Sequence, residues 1–179
     1  IRTGEEKIQA GRAGDFASVK LAEKIRGIGL DTGRLKTGTP ARLSSKTINW
    51  SIVETQKPDD KPTLFSFLHK NPFQRQISCG ITYTNNNTHE IIRENIEKSA
   101  IFNGTITSNG PRYCPSIEDK VVRFSGRDGH QVFLEPEGLN DDTVYPNGIS
   151  TSLPKDIQEK YIKSIKGLEN VKIKNFGYA

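Results

Sequence analysis

The stretch Asn109-Gly110-Pro111-Arg112-Tyr113-Cys114-Pro115-Ser116-Ile117-Glu118-Asp119-Lys120-Val121-Val122-Arg123-Phe124 puts a thiol at the mouth of a helix. Ser116 with Asp119 three residues on has the spacing of a capping box, with Asp in place of the usual Glu. Ile117, Val121 and Phe124 then recur on one helical face. Helix N-termini carry unsatisfied N–H groups and about half a positive charge, so they stabilise a thiolate, and a nearby cation such as Arg112 or Lys120 adds to the effect. The segment describes an activated cysteine or an anion site. An inert, packed thiol is the competing reading, because free cysteine is among the most buried residue types.

Outward from this helix the chain mixes helical and alternating patterns. Gln76 to Thr84 reads as a strand with Ile77, Cys79, Ile81 and Tyr83 turned inward, which makes Cys79 an inert core thiol. Asn87 with Glu90 predicts a cap for a helix over 88–99 that buries Ile91, Ile92, Asn95 and Ile96 and leaves His89 solvated. On the C-terminal side, His130 to Glu135 reads as a strand and 145–154 as a turn-rich connector. Ser152 would cap a helix over 154–166 burying Ile157, Tyr161, Ile162 and Ile165, and Val171 to Lys174 a last strand. Lys155, Lys160, Lys163 and Lys166 fall on that helix's outer side, a solvated face or an RNA-facing stripe.

Toward the N-terminus, Asp15 would cap a helix over 16–27 with Phe16, Val19, Leu21 or Ala22, and Ile25 as its buried stripe. Leu30 to Thr37 reads as a short strand, Thr47 to Trp50 as a weaker one, and Trp50, Phe65 and Phe67 as core aromatics. The spacing is not that of repeated βαβ units. It predicts an α+β domain built on a mixed, mostly antiparallel sheet with flanking helices.

Two glycine-rich loops are candidate ligand contacts. Gly11-Arg12-Ala13-Gly14-Asp15 brings backbone close to a phosphate or a flat ring but lacks the dinucleotide spacing, and Ser18 sits in the first turn of the helix that follows. Gly33-Arg34-Leu35-Lys36-Thr37-Gly38-Thr39-Pro40 packs two cations among flexible residues, a composition suited to an anionic ligand. His69 and His130 have no partner at a metal-ligand spacing, so no metal site is expected.

The 179 residues suffice for one domain, or for one plus part of another, with 33% hydrophobic residues and a net charge of +5. That charge is mild evidence for a nucleotide or RNA partner. Two cysteines allow one disulfide at most, and no apolar run spans a membrane, so a cytoplasmic location is the default. The chain begins at Ile1 and has no Met, which reads as an internal fragment.

Taken together, the two loops and Gly110 to Lys120 resemble the tRNA uridine 5-carboxymethylaminomethyl modification enzymes, the MnmG or GidA family. Phe133-Leu134-Glu135-Pro136-Glu137-Gly138-Leu139 and Tyr145-Pro146-Asn147-Gly148-Ile149-Ser150-Thr151-Ser152-Leu153-Pro154 extend the likeness in the family's order. Ala41 departs from it, where the family usually repeats proline. The resemblance implies an FAD enzyme that uses NADH and a folate one-carbon donor, works with the GTPase MnmE on the tRNA wobble uridine, and forms a homodimer. It implies that 1–37 closes the FAD-binding domain and that 38–179 is an inserted domain over the flavin, returning near 175–179. It assigns Ser18 to FAD, and Gly11, Arg12, Gly14, Asp15, Lys36, Thr37 and Gly38 of the two glycine-rich loops are further candidate cofactor contacts. Gly110, Pro111, Arg112, Tyr113, Cys114, Pro115 and Ser116 fall in the stretch assigned to NAD. Cys114 matches one of two essential cysteines, Cys79 matches neither, and Arg112 and Lys120 complete the catalytic set. A thiolate adding to C6 of a uridine makes C5 nucleophilic, and whether Cys114 does this or moves a proton stays open. Alone, the chain is expected to be inactive. The alternatives are a basic RNA-binding module without a redox role, or a nicotinamide-binding domain of another flavoprotein.

Overall fold

The computed structural model describes residues 1–111 and 114–179; Arg112 and Tyr113 lie outside the described residues. Its centre is a six-stranded antiparallel sheet in the order β4-β5-β6-β7-β3-β8. The strands are β3 (Arg42–Ser44), β4 (Glu54–Gln56), β5 (Cys79–Tyr83), β6 (Gln131–Pro136), β7 (Thr143–Asn147) and β8 (Ile173–Asn175). A separate hairpin of β1 (Arg2–Thr3) and β2 (Glu6–Lys7) precedes them. The expected α+β class with an antiparallel sheet is what the chain adopts.

Val132 and Leu134 alternate inward from β6 and meet Leu43 and Val144 of the neighbouring strands. Onto that face pack α2 (Asn86–Glu94) through Ile92, α3 (Ile117–Arg123) through Ile117 and Val121, and α4 (Lys155–Lys163) through Ile157, Tyr161 and Ile162. The Ser116–Asp119 capping box forms as read, and so does the inner face of α4. The lysines at 155, 160, 163 and 166 are exposed.

Several expectations fail for definable reasons. Strand β5 turns its other face inward: Gly80 and Thr82 are buried, whereas Tyr83 is exposed and Cys79 and Ile81 are only half-buried. Gly80 has no side chain because a Cβ there would stand 2.9 Å from both Trp50 and Val53, and the Thr82 hydroxyl donates to the Lys166 carbonyl at 2.8 Å. Helix α2 starts earlier than Asn87, with Asn85 as its cap and Thr88 completing the box. Its His89 is buried, not solvated. Ser152 does not cap α4, whose cap is Pro154 without a side-chain bond, because Ser152 is used elsewhere.

Helix α1 (Val19–Gly27) is shorter than 16–27, begins at Ser18 rather than at Asp15, and buries nothing. Phe16, Leu21 and Ile25 stay exposed because no other element among the described residues covers them. Leu30 to Thr37 is not a strand; it is held through the Lys36 N–H donating to the Asn109 carbonyl at 2.9 Å. Thr47 to Trp50 is not a strand, since residues 45–47 form a single 3₁₀ turn, and β1, β2, β3, β4 and β7 lie where the sequence pattern predicts no strand. Phe65 and Phe67 are exposed rather than core, and Trp50 is at the surface edge. Phe124 ends α3 half-exposed.

A buried polar cluster joins β5, α2 and β6. The Thr84 hydroxyl lies 2.8 Å from His89 Nε2 and accepts from the His130 N–H at 2.8 Å, with the two imidazole rings 5.2 Å apart. Desolvation, then the Arg93 charge, push His89 below its ordinary 6.5; desolvation, then His89, Lys120 and Arg127, push His130 the same way. A histidine lowered on folding contributes stability that is present above 6.5 and lost as pH falls through the folded value. Lowering pH from 7.5 to 5 should therefore reduce the urea midpoint, and His89→Gln, which keeps a partner for Thr84, should flatten that loss.

Candidate active site

Three segments converge on Cys114. It lies against Lys36, Thr37 and Gly38, and Ser150 lines the same recess. Its thiol is half-buried, with the Thr37 hydroxyl 3.8 Å from Sγ. On one side the recess is about 10 Å³, room for no more than one water. On the other a cleft of about 310 Å³ opens between Lys36, Gly110, Pro111, Pro115, Asp119 and Arg123. The sulfur is thus accessible from a concave surface and is not sealed among aliphatic side chains.

The reason for any activation differs from the one expected. Helix α3 begins at Ile117, beyond its Ser116 cap, so Cys114 stands two residues ahead of the cap. The first N–H groups are taken: Asp119 N–H donates to Ser116 Oγ at 3.1 Å and Ile117 N–H to the Ser150 carbonyl at 2.8 Å. Glu118 and Asp119 in the first turn offset what remains of the helix dipole. The cation lining both recesses with Cys114 is Lys36, and the Lys120 ammonium donates to the Gly148 carbonyl at 2.7 Å. Desolvation lowers the Lys120 pKa, opposed in lesser part by a coulombic contribution from Cys114. Arg112, the other expected cation, lies outside the described residues, as does Tyr113.

Asp119 ties this loop to the neighbouring segment. One oxygen accepts from the Ser116 N–H and hydroxyl at 3.2 and 3.1 Å and stands 3.6 Å from Lys36 Nζ, with both side chains largely buried. Its other oxygen is 3.7 Å from Arg123. Lys36 also lies against Gly110, where a Cβ would come within 3.3 Å of its Cε. The structure therefore brings together Lys36, Thr37, Gly38, Gly110, Pro111, Cys114, Pro115 and Ser116. It places the other loop apart: Arg12 and Gly14 line a different cleft of about 430 Å³ with Thr39, Arg42 and Glu137, and Arg12 pairs with Asp15 at 3.2 Å.

One residue of the site was not read at all. Glu118 is completely buried, and its Oε1 accepts from the Ser99 hydroxyl at 2.9 Å, the Thr151 hydroxyl at 3.1 Å and the Ser152 N–H at 2.9 Å. Oε2 has no partner among the described residues. Burial raises the carboxyl above its ordinary 4.5, opposed by those three hydrogen bonds. The signal was the Ser150-Thr151-Ser152 run, a row of donors that reads equally as a turn. Among the described residues no cluster of His, Cys, Asp or Glu is set to hold a metal, and no helix is long and apolar enough to cross a membrane.

The family model described as Glucose inhibited division protein A matches residues 1–179, the whole chain. The chain belongs to this GidA family. It is 51% identical over 176 residues to the tRNA uridine 5-carboxymethylaminomethyl modification enzyme MnmG of Zymomonas mobilis, covering 98% of this chain and 28% of that protein. It is 52% identical over 179 residues to the MnmG of Thermodesulfovibrio yellowstonii, covering 100% and 29%. The crystal structure of Aquifex aeolicus GidA in its form I superposes with a TM-score of 0.87 at 46% identity, over 99% of this chain and 31% of that one. The chain thus spans less than a third of the length of these relatives.

The sign for Glu118 follows from its raised pKa: the stability it contributes is present below 4.5 and lost as pH rises through the folded value. Chemical denaturation from pH 4.5 to 8 should show wild type losing ground steadily to Glu118→Gln. Glu118→Ala should cost about 1–3 kcal/mol for each donor left without a partner.

Proposed function

We propose that this chain is the part of a tRNA uridine 5-carboxymethylaminomethyl modification enzyme that presents Cys114 to the uridine base. The observation that carries this reading is the Cys114 sulfur at the edge of a cleft, with the Thr37 hydroxyl 3.8 Å away and Lys36 lining the same cleft, in a chain matched throughout by the family. Uridine C5 is a poor nucleophile until a nucleophile adds at C6. In this reading Sγ forms a bond to C6, the C5–C6 electron pair moves to the O4 enolate, and C5 then attacks the one-carbon electrophile. Loss of the C5 proton expels Sγ and restores the ring. Lys36 steadies the thiolate, and Thr37 donates to it while the sulfur waits.

The finer assignments belong to the same proposal. The target is the tRNA wobble uridine, the redox partners are FAD and NADH, the one-carbon unit comes from a folate, and the GTPase MnmE assists a homodimeric enzyme in the cytoplasm. Residues 1–37 belong with the FAD-binding domain and 38–179 with the inserted domain. The residues present suit FAD: α1 opens at Ser18 with no side-chain cap and no acidic residue in its first turn, which leaves its first N–H groups without a side-chain partner and its dipole unopposed for a pyrophosphate. Gly14, at φ +88° with nothing near its Cβ position, leaves backbone open beside it. Ser18 and the Gly11–Asp15 loop would hold the dinucleotide, and Lys36, Gly110, Pro111 and Arg123 would receive the nicotinamide nucleotide. When bound, the flavin supplies the hydride chemistry. A plain basic RNA stripe on α4 is less well supported, since Lys155 pairs with Glu6 and Lys163 with Glu159.

In a protein of the relatives' full length carrying this chain, Cys114→Ser should lower tRNA modification, read by mass spectrometry of tRNA nucleosides, by at least about 100-fold. tRNA affinity and flavin content should be unchanged. Retained modification would contradict the proposal. The 179-residue chain alone, mixed with FAD, should leave the flavin spectrum unperturbed.

A further inference from the structure

Between Pro58 and Ser78 the chain carries none of the sheet or helix, yet it is unusual in composition. From Lys61 to His89 there is no Asp or Glu, while Lys61, His69, Lys70 and Arg75 alternate with Phe65, Phe67 and Phe73. Phe65 and Phe67 are fully exposed and Phe73 is 81% exposed. Single exposed apolar residues need no explanation, but three rings and Leu68 within nine residues make a patch that calls for a ligand, a partner or further protein to cover it.

The patch is organised. Leu64 and Ser66 turn partly inward while Phe65 and Phe67 turn out. Ser66 Oγ accepts from the Leu68 N–H at 3.3 Å and lies 2.9 Å from His69 Nδ1, and the His69 ring meets Phe73 edge-on with centroids 4.6 Å apart. The Arg75 guanidinium anchors the segment by donating to the Leu139 carbonyl at 2.9 Å. Among the described residues Lys61 and Lys70 make no ion pair.

We propose that residues 61–76 are a stacking platform for unpaired RNA bases, with Phe65, Phe67 and Phe73 against base faces and Lys61 and Lys70 on the flanking phosphates. Rings interleaved with cations and free of acids match what single-stranded nucleic acid requires: a π-face for any base and positive charge along the backbone. A protein partner fits less well, because lysine is depleted where apolar surface meets protein. The inference deepens the proposed reading of the protein as an RNA-modifying enzyme and rests on it for the choice of RNA over DNA.

The test uses a protein of the relatives' full length in a Cys114→Ser background, so that binding is read apart from the modification chemistry. The probe is a fluorescein-labelled oligouridylate of about 12 nucleotides, with a duplex RNA of the same length as control. Phe65→Ala/Phe67→Ala should raise the Kd for the single strand about tenfold or more, since each lost stack is worth roughly 5- to 150-fold, and leave the duplex unchanged. Phe65→Trp should bind as wild type, with indole fluorescence quenched by the oligonucleotide. An unchanged Kd, an equal loss on duplex, or an unquenched indole would overturn the proposal. So would a double variant that changes the protein's assembly but not its RNA affinity, which would assign the rings to a protein contact.

Discussion

The buried carboxyl of Glu118 is the interaction on which the placement of the cleft depends. It draws three donors to α3 from two places far from it in sequence, Ser99 just beyond α2 and the turn at Thr151 and Ser152. Placing a carboxyl where water cannot reach it is costly, and the cost is offset only while all three donors stay in place. The Ser99 hydroxyl also lies 2.8 Å from that of Ser152, and both receive the Ile101 N–H, so one polar knot fixes where α3 starts. Once α3 is fixed, so is its Ser116 cap, two residues beyond Cys114.

A second tie then closes the site. Asp119, the next residue, serves as cap partner to Ser116 and as counter-ion to Lys36. Two consecutive acidic residues thus do separate work: one fastens the helix to the core, and the other fastens the 36–38 segment to the helix. The cleft exists because these ties hold two irregular loops together in a region where neither sheet nor helix would. Irregular backbone on a rigid base is a common way to present a reactive side chain.

Local patterns carried much of the fold into view. The capping box at Ser116, the apolar face of α4 and the alternation of β6 were legible because each is decided within a few residues. Other features were decided by distant partners. The inward face of β5 is set by how closely Trp50 and Val53 approach Gly80, and by hydroxyls that find carbonyl and imidazole partners from other elements. The stripe of α1 is amphipathic as read, but no element among the described residues meets it. At the site, Cys114, Lys36, Thr37 and Lys120 were visible from motif and charge. Glu118 was not, because a carboxylate beside an apolar stripe ordinarily faces water, and only the fold reveals its three donors.

If the Glu118 knot holds α3 and the cleft in place, native-state amide hydrogen exchange of Glu118→Ala against wild type reads it out. The variant should lose protection at Ile101, Ile117 and Ser152 and through α3, while β6 and β7 keep theirs. Equal protection of those amides in both proteins would contradict it.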